Sequence, residues 1–300
     1  MGVTIGFIGF GEAGYYIAKG LHAEGAPEIS AYDLGHSDSR RRAAIEARAA
    51  DAGVVLVDSV AELARRSEII VSTVVSSVAV TVAREAAPHL NERHFYMDLN
   101  STSPAVKQEA ASVVGASGAR FVEAAVMAGV PPLGHKVPML LCGEAAPGLI
   151  ARLSAYGMEL EDFGPEIGRA TATKMFRSIV VKGLEALFLE CVLAASRYGV
   201  SERVLEYVGT GYPGIDWNKL AHYLIGRTAI HGERRAHEMT EVAKTLSAMG
   251  IEPIMADAAA RRISSFAELG LKSRFGDSAP ESYHEVIRVA REAEKQGETS

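Results

Sequence analysis

Short apolar runs alternate with amphipathic stretches along the first half of the chain. The runs that predict strands are V-T-I-G-F-I-G, E-I-S-A-Y-D, V-V-L-V, I-I-V-S-T-V-V, F-Y-M-D-L-N, R-F-V-E-A-A-V and M-L-L-C-G. The segments between the first six runs have helical periodicity. Repeated strand–helix–strand order is typical of parallel strands joined by crossover helices. We therefore predict a doubly wound parallel α/β sheet.

The pattern changes near residue 164. A long apolar helical pattern begins at or before Thr171 and continues to Gly199. Further helical segments follow it, and no convincing strand pattern does. We predict two domains, with the sheet in residues 1–163 and an all-helical domain led by the long helix in residues 164–300.

Composition narrows the choice of partners. The formal net charge of the 300 residues is -6, which argues against a nucleic-acid footprint or a polybasic membrane patch. The longest apolar stretch carries Lys182, Glu185 and Glu190, and these charges favour a buried helix over a membrane span. Cys142 and Cys191 form no C-x-x-C pair, which indicates a reducing compartment. With no basic leader before the first strand, we expect a cytoplasmic protein.

A glycine-rich turn follows the first predicted strand and precedes a helix predicted from about Glu12 to Glu24. In this G-x-G-x-x-G motif, Gly9 permits the tight turn, Gly11 lets backbone approach a pyrophosphate, and Gly14 brings the helix close to the strand. A packing turn without a ligand is the alternative, but the flanking elements favour a dinucleotide clamp. The cofactor-binding residues predicted in the turn are Gly9, Phe10, Gly11, Glu12, Ala13 and Gly14.

Asp33 ends the second predicted strand, 19 residues after Gly14. Its carboxylate is placed to accept hydrogen bonds from the adenosine ribose, and it repels a 2′-phosphate. Arg40, Arg41 and Arg42 follow and could clamp such a phosphate, although a solvated helix start is the simpler interpretation. We expect NAD as the cofactor, with NADP as the alternative.

Five motifs follow one another: G-F-I-G-F-G-E-A-G, S-T-V-V-S, D-L-N-S-T-S-P, E-A-A-V-M-A-G-V-P-P and K-M-F-R-S-I-V-V-K-G. In this order they resemble the β-hydroxyacid dehydrogenase family, which includes 3-hydroxyisobutyrate dehydrogenases, imine reductases and 6-phosphogluconate dehydrogenases. The resemblance covers nearly the whole chain and is greatest to a subgroup whose C-terminal domain was catalogued as of unknown function. It implies a Rossmann domain followed by a long helix and a helical domain, a nicotinamide cofactor and a small-molecule substrate.

The resemblance also assigns residues at three strand ends. It implies that Thr73, Val74 and Val75 line the nicotinamide ribose. Asn100 and Ser101 would lie near nicotinamide and substrate, and Met127, Ala128 and Gly129 would contact the substrate. Met127 and Ala128 replace the usual serine and first glycine of the substrate motif. The backbone there can still bind a carboxylate, but the hydroxyl is absent, so the familiar small hydroxy acids fit this motif poorly.

The resemblance makes Lys174 the catalytic residue. Lys174, Arg177, Ser178 and Lys182 fall at i, i+3, i+4 and i+8, on one face of the predicted long helix. A lysine can exchange the substrate proton during hydride transfer when burial and nearby positive charge favour its neutral form. Arg177 or Lys182 would hold an anionic group of the substrate, beside Ser178. The alternative is a solvated stripe in which Lys182 pairs with Glu185.

Two histidines lie where the helical half departs from the family. His237 and Glu238 replace a Lys-Asp pair, and we interpret His237 as an ordinary histidine while keeping His231 as a candidate substrate-binding residue. Six residues separate the histidines, which is not the i, i+4 spacing of a helical metal site, so we predict no metal.

The predicted function is an NAD(P)-dependent dehydrogenase or reductase of a 3-hydroxy acid or related alcohol, in which Lys174 transfers the proton. One alternative is an imine reductase, a group whose members usually lack this lysine. Another is a non-catalytic NAD(P)-binding sensor. We also expect a homodimer, because a helical domain led by one long apolar helix leaves apolar surface to cover.

Overall fold

The computed structural model describes residues 2–276 and 278–297. Internal contacts divide the chain into two compact units, Met1–Lys174 and Met175–Ser300. The domain boundary expected from the sequence, between residues 163 and 164, stays a prediction.

The described residues form one eight-stranded sheet. Its strands are β1 Thr4–Ile8, β2 Glu28–Tyr32, β3 Val55–Leu56, β4 Ile69–Ser72, β5 Phe95–Asp98, β6 Arg120–Val126, β7 Met139–Cys142 and β8 Leu160–Asp162. The order across the sheet is β3-β2-β1-β4-β5-β6-β7-β8. The predicted doubly wound α/β class is confirmed, with one correction: β6 and β7 are antiparallel, because no crossover helix separates them.

Six helices of the described first unit cover both faces of the sheet. They are α1 Glu12–Ala23, α2 Ser39–Ala52, α3 Val60–Arg66, α4 Ala79–Ala86, α5 Pro104–Gly115 and α6 Ala146–Leu153. Phe7 and Ile8 are neighbours in β1 but belong to different hydrophobic clusters, one with Ile17 of α1 and the other with Leu63 of α3 and Val114 of α5. Alternate strand residues point to opposite faces, so each face buries its own layer of helices.

Helices alone follow β8 in the part of the chain that the structure describes. They are α7 Arg169–Ser196, α8 Ser201–Gly211, α9 Trp217–Ala248, α10 Ile254–Ala267, α11 Lys272–Phe275 and α12 Tyr283–Gly297. In the second unit, Leu189 of α7 packs in one cluster with Ile225 of α9 and Val286 of α12. The predicted all-helical C-terminal region with a long leading helix is therefore confirmed. None of the helices formed by described residues has the length and apolar character that a membrane span requires.

Candidate functional site

The turn between β1 and α1 packs tightly against the end of β4. Gly9 has a φ of +87°, which glycine adopts readily, and a Cβ atom there would lie 2.6 Å from the carbonyl oxygen of Thr73. A Cβ atom on Gly14 would lie 2.9 Å from the carbonyl oxygen of Gly9. Two of the three motif glycines are therefore required by packing alone.

Gly11 has a different environment. A Cβ atom built on it would meet nothing within 4 Å, so packing leaves room for a side chain at this position. Gly11 is also the N-cap of α1, and no side chain caps that helix. The first-turn N–H groups of a helix need acceptors from outside it. An open approach to an uncapped helix start fits the pyrophosphate of a dinucleotide.

Asp33 connects the end of β2 to the glycine-rich turn. Its Oδ2 accepts a hydrogen bond from the Phe10 N–H, and its Oδ1 accepts one from the Gly35 N–H, both at 2.7 Å. Each oxygen of a carboxylate can accept more than one hydrogen bond, so ribose hydroxyls can still be bound. The same carboxylate thus shapes the turn and stays available to a ligand.

Two of the three arginines after Asp33 bond to residues near the start of α2. Arg40 pairs with Asp38 at 3.3 Å, and Arg42 donates a hydrogen bond to a backbone carbonyl. The Arg41 guanidinium lies against the glycine two residues after Asp33, near the carboxylate. Arg41 therefore lies beside the carboxylate that is predicted to bind the adenosine ribose.

Hydrogen bonds join the ends of β4 and β5. The Thr73 hydroxyl donates to the Gly9 carbonyl oxygen at 2.7 Å, which holds the β4 end to the glycine-rich turn. Asn100 Oδ1 accepts from the Val74 N–H at 2.7 Å, and Asn100 Nδ2 donates to Ser72 Oγ at 2.9 Å. Asn100 is 4% exposed and uses both ends of its amide within the protein. It fixes one loop against another, and its predicted contact with a ligand stays a prediction.

Five predicted residues that follow β4, β5 and β6 lie nearer to solvent. Val75, Ser101, Ala128 and Gly129 are exposed, and Met127 is half-buried. The Met127 N–H donates to the Pro138 carbonyl oxygen at 2.9 Å. These positions are accessible to a ligand, and their assignment to substrate or nicotinamide stays a prediction.

Glu123 is a buried carboxylate to which sequence reasoning gave no role. It lies in β6, is 0% exposed, and accepts hydrogen bonds from the Gly168 N–H at 2.5 Å and the Thr171 N–H at 2.6 Å. These N–H groups belong to the start of α7, so the carboxylate caps the helix that carries Lys174. A glutamate inside an otherwise apolar strand pattern was the available signal, since a buried charge needs partners.

Helix α7 is continuous from Arg169 to Ser196 and contains all four predicted polar positions. Lys174 and Ser178 are half-buried, Arg177 is exposed and Lys182 is buried. One of the four, Lys182, is thus withdrawn from solvent and needs a partner for its charge.

Lys182 finds that partner on α9. Its Nζ lies 2.8 Å from Glu238 Oε2 and donates to Ser178 Oγ at 2.9 Å. Glu185 pairs with the guanidinium of Arg235 instead, and both of these side chains are buried. The expected alternative pairing of Lys182 with Glu185 is therefore wrong, because α9 presents the stronger bidentate partner to Glu185.

Glu238 is held ionised by its neighbours. Burial raises the pKa of Glu238. The positive charges of Lys182, Arg234 and Arg235 and the hydrogen bond from Lys182 outweigh that effect, so the pKa lies below its ordinary value. A carboxylate thus stands where the resemblance implied part of a Lys-Asp pair, and it is engaged by Lys182.

His231 interrupts α9. Its φ of -115° and ψ of 15° depart from helical values, and the helix is kinked there. Burial and then the positive charges of Arg234, Arg227 and Arg235 lower the pKa of His231, which favours a neutral imidazole. His237 is exposed. The role of His231 toward a substrate stays a prediction.

Neither the cavity described for the second unit nor any metal-binding cluster of the described residues coincides with the predicted site residues. A cavity of about 510 Å³ in the second unit is lined by residues that include Glu202, His284 and Arg291, but by none of the predicted site residues. Among residues 2–276 and 278–297, no group of three or more His, Cys, Asp or Glu side chains is arranged to hold a metal ion. The expectation of a metal-free site stays a prediction.

Comparison with known proteins gives two family matches. The NAD binding domain of 6-phosphogluconate dehydrogenase matches residues 4–144, and a domain of unknown function, DUF1932, matches residues 195–285. The first match covers the glycine-rich turn, Asp33 and Asn100. The chain therefore contains an NAD(P)-binding domain.

Solved structures match along nearly the full length. A conserved protein from Sinorhizobium meliloti is 41% identical with a TM-score of 0.82, over 98% of this chain and 97% of that protein. A second conserved protein is described as structurally similar to 3-hydroxyacid dehydrogenases. It is 31% identical with a TM-score of 0.75, and the match covers 92% of this chain and 100% of that protein. The 3-hydroxyisobutyrate dehydrogenase of Mycobacterium tuberculosis with L-serine is 18% identical with a TM-score of 0.75, over 97% of this chain and 100% of its own, and shows the shared fold.

Proposed function

Because this chain belongs to the 3-hydroxyacid dehydrogenase-like family that joins this NAD binding domain to DUF1932, we propose that it is an NAD(P)-dependent oxidoreductase of a 3-hydroxy acid or related alcohol. The observation that carries the proposal is the open, uncapped helix start at Gly11, beside a carboxylate that ends β2. The Mycobacterium tuberculosis relative has L-serine in its structure, and serine and 3-hydroxyisobutyrate are both 3-hydroxy acids, which supports this substrate class.

The first unit offers residues for each part of the cofactor. The α1 start at Gly11 would take the pyrophosphate, Asp33 the adenosine ribose, and Thr73 with Val74 the nicotinamide ribose. We propose NAD as the preferred cofactor, because the Asp33 carboxylate disfavours a 2′-phosphate. Arg41, beside that carboxylate, is the residue that would permit NADP.

When bound, a nicotinamide ring supplies the hydride acceptor or donor. We assign the proton to Lys174: its Nζ takes the hydroxyl proton in oxidation and returns it to the alkoxide oxygen in reduction. Arg177, exposed one turn later, binds an anionic group of the substrate in a bidentate manner. Since Lys182 is already bonded to Glu238 and Ser178, it orients Ser178 toward the substrate.

The test is an activity screen with the purified full chain. NAD and NADP are each incubated with 3-hydroxyisobutyrate, serine and other 3-hydroxy acids, and with 2-hydroxy acids as the matched control, while the absorbance of the reduced cofactor is followed. We expect reduction of NAD with at least one 3-hydroxy acid. Cofactor binding without turnover of any alcohol, or amine formation from a ketone, would contradict the proposal and favour a sensor or an imine reductase respectively.

We also propose that the protein acts as a homodimer. Val180 and Leu187 of α7 are 64% and 58% exposed and lie two turns apart on the same face of the helix. Exposed apolar stripes of this kind commonly mark interfaces. Light scattering at micromolar concentration should give twice the chain mass, and a monomer would contradict this proposal.

A further inference from the structure

Lys107 is the most deeply buried lysine described for the first unit, and none of the roles proposed above uses it. It lies in the first turn of α5 and is 0% exposed. Withdrawing an ammonium group from water is strongly unfavourable unless acceptors replace the water. A lysine in this position therefore serves the group to which it donates.

That group is the end of β5. Lys107 Nζ donates to the carbonyl oxygen of Asp98 at 2.8 Å and to its Oδ1 at 2.9 Å. Asp98 is the last residue of β5 and is 1% exposed. One side chain thus holds both the backbone and the carboxylate of the residue from which the β5 loop departs.

The hydrogen bonds continue from Asp98 into the β4 loop. Asp98 Oδ1 also accepts from the Asn100 N–H at 2.8 Å. The Asn100 amide then holds the Val74 N–H at 2.7 Å and Ser72 Oγ at 2.9 Å. A continuous path of hydrogen bonds therefore leads from Lys107 to the loops that follow β4 and β5.

We infer that Lys107 is a positioning residue for the nicotinamide half of the cofactor site. This inference rests on the proposed function, which places the nicotinamide ribose beside Thr73 and Val74. By neutralising the buried Asp98 carboxylate, Lys107 keeps Asn100 in the geometry that fixes Val74. The two loops are then ordered before the cofactor arrives, so less free energy is lost in ordering them on binding.

The sheet order limits the effect to one half of the cofactor. From β5 the order runs through β4 and β1 to β2, where Asp33 would bind the adenosine ribose. Loosening the β5 and β4 loops should therefore weaken contacts with the nicotinamide half while leaving the adenosine half bound. A side chain that only stabilised the fold would affect both halves equally.

The experiment compares two ligands by calorimetry on the full chain: NADH, and ADP, which lacks the nicotinamide and its ribose. For Lys107→Met we expect the Kd for NADH to rise on the order of tenfold, and that for ADP to change less than about twofold. If the wild type prefers the phosphorylated cofactor, NADPH and 2′-phospho-ADP replace the pair. The matched control is Arg84→Met. It removes an exposed cation of α4 that pairs at 2.7 Å with Glu109 of α5, the helix that carries Lys107, and it should change neither Kd.

Two further variants keep the inference testable. The double variant Asp98→Asn/Lys107→Met leaves no unpaired buried charge, so it replaces the single variant if that variant does not fold. We expect its affinity for NADH to fall about threefold, with a smaller change for the second ligand. In an Asn100→Ala background, Lys107→Met should add little further loss, because both act on the same path. An equal loss for both ligands, or no loss, would overturn the inference while leaving the proposed function in place. A wild type that binds neither cofactor would overturn both.

Discussion

The two units of the chain use buried charge in different ways. In the first unit, Glu123 accepts hydrogen bonds from two backbone N–H groups, and Lys107 donates to a backbone carbonyl as well as to a carboxylate. In the second unit, Lys182 and Arg235 pair with carboxylate side chains across the α7–α9 contact. Buried charge thus fixes loops and a helix start in one unit, and fixes two helices against each other in the other.

The difference follows from what each architecture leaves unsatisfied. Strands of a parallel sheet end in loops and helix starts whose N–H and C=O groups need partners. The backbone within a long helix is already hydrogen-bonded, so buried charges there can be satisfied only by other side chains. Buried charges in the first unit are therefore expected to order loops and a helix start, and those in the second unit to hold two helices together.

The largest expected effect is on the stability of the helical unit. Arg235→Met leaves the buried Glu185 carboxylate without its guanidinium, and breaking a buried pair in this way costs about 3–5 kcal/mol of unfolding free energy. Arg234→Met is the matched control, since Arg234 is exposed and Glu238 keeps its pair with Lys182, so the loss should be less than about 1 kcal/mol. Urea denaturation measures both. Equal losses in the two variants would contradict the distinction drawn here.

Next in size is the effect of filling the open position at Gly11. In Gly11→Leu the new Cβ atom meets no protein atom within 4 Å, so the melting temperature should change little, while NADH affinity falls at least about 100-fold because the side chain occupies the pyrophosphate approach. Gly115→Leu places the same side chain in a similarly open position at the end of α5 and should leave affinity unchanged. Unchanged NADH affinity in Gly11→Leu would remove the dinucleotide assignment.

A smaller effect is expected where Glu123 caps α7. Glu123→Gln replaces one acceptor oxygen with a donor facing an N–H group, and should lower the unfolding free energy by about 1–3 kcal/mol. Because α7 carries Lys174, turnover should fall as well. Glu166→Gln removes an exposed acid paired with Arg169 near the same helix start and is the control. If both variants unfold at the same urea concentration as the wild type, the capping role is wrong.

The smallest effect concerns the choice between the two cofactors. Asp33→Ser removes the negative charge next to Arg41, so the ratio of NADP to NAD affinity should rise on the order of tenfold, or about 1.4 kcal/mol. Both affinities are measured by titration on the same preparation. A wild type that already prefers NADP strongly would contradict the interpretation of Asp33.

The sequence predicted best those features that depend on near neighbours. The glycine-rich turn could be recognised because strand, turn, helix and acid follow within a short stretch, and Gly9 and Gly14 answer local packing requirements. The alternation of strands and helices likewise predicted the sheet. Strand β8 was missed because Leu160–Asp162 is short and carries two acidic residues, which gives no apolar pattern.

Contacts between distant residues could not be predicted in this way. Glu123 caps backbone that lies 45 and 48 residues further along the chain. Lys182 bonds to Glu238 rather than to Glu185, its neighbour at i+3, because the partner is set by how α7 and α9 pack. Spacing within one helix shows which residues share a face, but not what the facing helix presents to them.

The most direct test of the proposed chemistry is steady-state kinetics of Lys174→Met on the first 3-hydroxy acid that the wild type oxidises. We expect kcat to fall by roughly 10²–10⁴ while cofactor affinity and melting temperature stay unchanged. Lys174→Arg should fail almost as badly, because a guanidinium keeps its proton near neutral pH. Lys19→Met, an exposed lysine on α1, is the control. A Lys174→Met enzyme with near-normal kcat would contradict the assignment of the proton to this lysine.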